Sequence, residues 1–106
     1  MNSIHDLLYD LASIQTCLAQ DMANDASLEI TRVLHKLQHA TALPESARTG
    51  AATLLLHAHD AVVRREGEHW RMAAARAVWQ AFVHLHNQRR LLADSDLREA
   101  LPLPPG

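Results

Sequence analysis

Eight histidines, one cysteine and twelve carboxylates are the groups in these 106 residues that could ligate a metal, attack a carbonyl or move a proton. His35 and His39 stand four apart, a spacing that a helix turns to one face. The stretch between them, Lys36-Leu37-Gln38, lacks the glutamate that follows the first histidine of a zinc-protease helix. No carboxylate at helical spacing completes the set. His57/His59 and His84/His86 are two apart, so on a helix each pair diverges by about 200° and cannot chelate one ion. The expectation is no metal and no cofactor, with the imidazoles as ordinary half-exposed side chains.

Cys17 has Thr16, Gln20 and Asp21 beside it in sequence, none of them a cation that would lower its pKa, although a histidine from another helix could. A structural thiol is expected. There is no Gly-rich phosphate loop, no nucleophile elbow and no pair of carboxylates at a recognised catalytic spacing. These absences point away from an enzyme. Nine Arg and one Lys against twelve acids give a net charge of −2, which removes the basic field that nucleic acid requires. Arg64-Arg65 and Arg89-Arg90 read as solvated helix ends whose cations favour the C-terminal dipole. No apolar run is long enough to span a bilayer, and the lone cysteine excludes an internal disulfide. With no basic-then-apolar leader at the start, a cytoplasmic location is expected.

The elements that must position these groups are helices. Ala (18) and Leu (17) dominate, glycine is scarce, and three of the four prolines crowd the last five positions. Ile4, Leu7, Leu8, Leu11, Ile14, Leu18 and Met22 recur at three- and four-residue steps after Ser3, which predicts a first helix over about residues 3 to 23. Asn24-Asp25 offers a stop and a new cap, and Leu28, Ile30, Val33, Leu34 and Leu37 carry a second helix over about 25 to 42. The apolar phase nearly continues across this junction, so one long kinked helix is an open alternative. Leu43-Pro44 punctuates the chain and starts a third helix over about 44 to 66, with Gly67 as hinge or C-cap.

A fourth helix is expected over about residues 68 to 92, then a short turn capped by Asp94 or Ser95 and a Pro-rich tail from Pro102. The fold class is therefore all-α: a compact bundle of about four helices plus a short C-terminal turn, one domain over residues 1–101 with a tail at 102–106. Helix three keeps a single polar row of Ser46, Thr49, Thr53, His57, Asp60 and Arg64. Helix four keeps His69, Arg76, Gln80, His84 and Asn87. Most of both cylinders is left apolar, more than one small bundle can cover. That surplus predicts a homodimer or a groove for another protein. Trp70 and Trp79 are nine apart and project from opposite sides of helix four. Trp79, sharing its side with Met72, Phe82, Val83 and His86, is expected in the core. Trp70 is then the better contact residue, or else a cover over the end of the bundle.

The Ser-Ile-His-Asp-Leu-Leu start, the Leu43-Pro44 break, the Ala-rich helix beginning at Trp70 and the lack of catalytic motifs together resemble the small all-helical antiactivators of bacterial quorum sensing. The resemblance spans the whole chain and rests on no diagnostic motif. It implies a cytoplasmic regulator that binds a LuxR-type transcription activator, occupies the surface that factor needs to dimerise, and so keeps it from DNA. Trp70 and Arg71 are the candidate anchors for such a partner, with Asp6 and Asp10 as rim charges. The alternative is a homodimeric helical structural or chaperone-like protein that catalyses nothing.

Overall fold

A computed structural model describes residues 4–100, with the side chains described as far as Arg90. Among the described residues four helices follow one another: α1 (Ile4–Ala19), α2 (Ala23–Gln38), α3 (Glu45–Arg64) and α4 (Trp70–Ala100). Each packs on its neighbours in sequence, and α4 returns to α1, so α1/α3 and α2/α4 lie across the diagonals of a square. Cross-helix contacts fix the directions. Gln15 near the end of α1 bonds to Ala75 near the start of α4, while His84 far along α4 meets Ala47 at the start of α3. The bundle runs up-down-up-down, as short connections demand.

The core follows from the apolar periodicity. Leu7, Leu11, Ile14 and Leu18 of α1, Ile30, Val33 and Leu37 of α2, Leu55 and Val62 of α3, and Val78 and Leu85 of α4 are buried. Between α3 and α4 the buried residues are mostly small: Ala47, Ala51 and Ala58 on one helix, Ala74, Ala77 and Ala81 on the other. Small side chains let two helix axes approach closely. Among the described residues no polar or charged side chain is buried.

The junctions depart from the sequence-based expectation in instructive ways. α1 and α2 are separate helices, and α1 stops without Gly or Pro. Met22 N–H donates to the Cys17 carbonyl (2.8 Å) and Asp21 N–H to that of Leu18 (3.2 Å), with Asp21 at φ 60°. This is a Schellman closure in which aspartate takes the left-handed place usually held by glycine. Asn24 and Asp25, expected as the new cap, lie inside the first turn of α2, and Met22 at its N-cap makes no side-chain bond. Ser3, the expected cap of α1, and the tail beyond Ala100 lie outside the described residues.

At the end of α3 it is Arg65, not Gly67, that takes the left-handed C-cap (φ 48°, ψ 42°), its N–H donating to Ala61. Gly67 follows at φ 80° and turns the chain into α4. The break expected at Asp94 or Ser95 is absent, since α4 continues through both to Ala100. With a rise of about 1.5 Å per residue, the Gln15–Ala75 contact puts Ile4 level with His86. The last turns of α4 therefore extend beyond the end of the bundle, by roughly 20 Å.

Candidate interaction surface

Helix phase decides which side chains face outward. On α4 the line Ala74, Val78, Ala81 and Leu85 points into the core. Trp79 stands one residue on from Val78, about 100° around the cylinder, which carries it to the outer edge facing α1. It is 57% exposed, and Met72 (63%) and Val83 (37%) share its side. Periodicity groups these residues on one face, as the structure does, but that face is on the surface and not in the core. The correction has a physical reason: the small side chains of Ala74, Ala77 and Ala81 fit the close α3/α4 contact, where an indole does not.

The exposed face is ordered by its own contacts. Trp79 stacks on Phe82, their rings 5.5 Å apart and within 7° of parallel, and Phe82 stacks in turn on His86 at 6.3 Å. Phe82 is half-buried against the core and anchors the stack. Across the groove, α1 shows only small or short side chains around Gln15: Ala12, Thr16 and Ala19 are all exposed. Register puts Met72 level with Leu18 and Ala19, and Trp79 level with Leu11 and Ala12. The α1/α4 face is thus an aromatic and thioether ridge beside a shallow trough. A concavity at its upper end is lined by Gln15, Leu18, Ala19, Arg71, Met72 and Ala75.

The four residues expected at a partner site do not come together. Trp70 is half-buried against the core at the start of α4. Arg71 lies with its guanidinium 5.9 Å from the Trp70 ring centroid and pairs with Asp21 at 3.4 Å, clasping α4 to the turn after α1. Asp10 is several turns lower and turned the other way, toward α2, where its carboxylate accepts from Lys36 Nζ at 2.6 Å. Asp6 is exposed in the first turn of α1, lower still. Trp70 and Arg71 adjoin the upper end of the α1/α4 face, whereas Asp10 belongs to the α1/α2 side. Met72, Trp79 and Val83 are the residues missed, and the phase of the small core line on α4 was the signal for them.

The remaining chemistry-bearing groups are spread out. Cys17 is partly buried on the α1/α2 side, where burial pushes its thiol up, with Asp25 and then Glu29 adding to the effect. That is the reverse of what a nucleophile needs. His35 and His39 pack edge to face, 4.7 Å between ring centroids. His59 shares a hydrogen bond with Ser27 at 3.2 Å, tying α3 to α2, while His57 is exposed. Among the described residues no three His, Cys, Asp or Glu side chains are grouped to hold a metal ion, and no helix is long and apolar enough to cross a membrane.

No family model, no curated protein and no solved structure matches this chain.

Proposed function

We infer that this chain acts by binding another protein and not by catalysis, and that the α1/α4 face is its docking surface. One observation carries the reading: Met72, Trp79 and Val83 are exposed together on one side of α4, beside a trough of small side chains on α1. Tryptophan and methionine are enriched at the centres of protein interfaces, and an amphipathic helix docks through apolar contacts at such spacing. The first partner class to try is a LuxR-type activator, which the resemblance in the sequence implies. The chain would cover that factor's dimerisation surface in the cytoplasm and keep it from DNA, without itself touching nucleic acid or membrane.

The same face favours a second reading, a homodimer. A ridge and a trough at matching levels in one molecule are self-complementary: a two-fold axis along the helices sets each ridge over the other copy's trough. A gel shift of a LuxR-type activator on its DNA, with and without this protein, tests the first reading, and light scattering tests the second. Sequestration predicts loss of the shifted band with the wild-type chain and its return with Trp79→Glu. An unchanged band and a stable dimer that Trp79→Glu dissociates would discard sequestration in favour of the helical dimer.

A further inference from the structure

On the opposite side of the bundle from the α1/α4 face, α2 and α3 flank an open cleft of about 410 Å³, within the usual size range of small-molecule sites. Its wall is polar at the Arg48 end, with Gln38 from α2 and Thr49 from α3, and apolar beyond: Leu34 and Leu37 from α2, Ala52 and Leu56 from α3, with Leu56 55% exposed. At the end where α3 begins stands Arg48. Its Nε is buried and has no hydrogen-bond partner, and among the described residues no carboxylate lies within ion-pairing distance of its guanidinium. Burying an N–H donor without an acceptor is costly, so such groups are normally satisfied. Glu45 lines the same end of the cleft without reaching Arg48.

We propose that the α2/α3 cleft binds a small single-chain amphiphile whose carboxylate caps Arg48 and whose hydrocarbon lies along Leu34, Leu37, Ala52 and Leu56. A carboxylate is planar and accepts two parallel bonds from one edge of a guanidinium, which a hydroxyl cannot do; with Nε closed off from the cleft, that edge is Nη1–Nη2. Two helical turns separate Arg48 from Leu56, a rise of roughly 12 Å that matches an extended medium-length chain. The charge sits at one end of the cleft and the apolar wall runs away from it, so the ligand's polarity and orientation follow from the lining. Glu45 is the internal competitor: it lines the same end of the cleft as Arg48 and repels the head group.

The site is independent of the docking face, and its test does not require a partner protein. Decanoate below its micelle concentration, and decanol as the head-group control, are titrated into the full chain and followed by amide NMR. The expected result is saturable decanoate binding with shifts confined to Leu34, Ala52, Leu56 and their neighbours, and decanol weaker on the order of tenfold. Arg48→Gln weakens decanoate by a similar factor, Arg48→Lys restores part of it, and Glu45→Gln tightens it. The Glu45→Gln variant keeps the test decisive should Arg48→Gln fold poorly. Absence of saturable binding to both the wild type and Glu45→Gln overturns the proposal. So does equal affinity for acid and alcohol, shifts centred on Trp79, or a cleft that takes an acidic amphipathic peptide and refuses decanoate.

Discussion

The imidazole of His84 lies over Gly50, where a Cβ on the glycine would stand 2.7 Å from Nε2, while the same nitrogen is 3.2 Å from the Ala47 carbonyl. Gly50 is therefore the point where α3 admits a side chain from α4, and with Nε2 protonated His84 donates to Ala47. Glycine inside a helix ordinarily costs about 1 kcal/mol relative to alanine, so Gly50→Ala would stabilise an isolated α3. In the bundle the ring must move and the bond to Ala47 is lost. Gly50→Ala is expected to be neutral or destabilising in the wild type, and to stabilise by about 1 kcal/mol in a His84→Ala background. Urea unfolding of the four-member cycle measures this, and equal effects in both backgrounds would show that the two residues are not coupled.

The turn between α3 and α4 offers an opposite pair. Arg65 adopts φ 48° with a full side chain, and Gly67 adopts φ 80° with none. Left-handed backbone costs roughly 1 kcal/mol or more for a residue with a Cβ. Arg65→Gly is expected to raise stability by up to about 1 kcal/mol, and Gly67→Ala to lower it by a similar amount. Nothing lies within 4 Å of a Cβ built on Gly67, so the second effect isolates backbone strain from crowding. Thermal unfolding in which both substitutions move stability the same way would contradict the assigned conformations.

Cys17 gives a pH signature. Its thiol is pushed up by burial first, then by Asp25 and Glu29. Alkylation of the folded protein by iodoacetamide is expected to lag behind the urea-unfolded chain at pH 8 and to accelerate only at higher pH than it does there. Asp25→Asn narrows the gap by removing one of the two charges. For stability the sign follows from the raised value: the folded state disfavours the thiolate, so its contribution is complete below the ordinary thiol pKa of 9.0 and falls away as pH rises past it. Cys17→Ser should flatten that alkaline loss. Faster alkylation in the folded protein would reverse the assignment.

How far the sequence discloses this molecule depends on the kind of evidence each residue carries. Helix number and order are legible because the apolar stripes and Pro44 act locally, and the polar row of α3 from Ser46 to Arg64 is wholly exposed, as its period requires. The stop of α1 is not legible, because Asp21 takes a conformation that sequence habit reserves for glycine. Asp10 looks like a free rim charge in the sequence. Only the antiparallel pairing of α1 with α2 delivers Lys36 to it. The side on which Trp79 falls follows from the small residues Ala74, Ala77 and Ala81 only once α3 is known to lie against them, and periodicity within one helix does not supply that neighbour.

Trp79 and Leu85 separate an interface role from a core role. Leu85 is fully buried on the inward line of α4, and truncation to alanine should cost about 2–5 kcal/mol through lost transfer energy and an unfilled cavity. Trp79 is larger but 57% exposed, and its ring stacks on Phe82 on the outer side of α4. Trp79→Ser should cost about 1 kcal/mol or less, the value of an aromatic pair at a surface. Its indole emission should sit toward the red in the free chain and move to the blue when the α1/α4 face is covered, by a second copy or by another protein. Unfolding curves and emission spectra of the two variants decide the matter. A Trp79 substitution as damaging as that at Leu85 would return the indole to the core and remove the docking face with it.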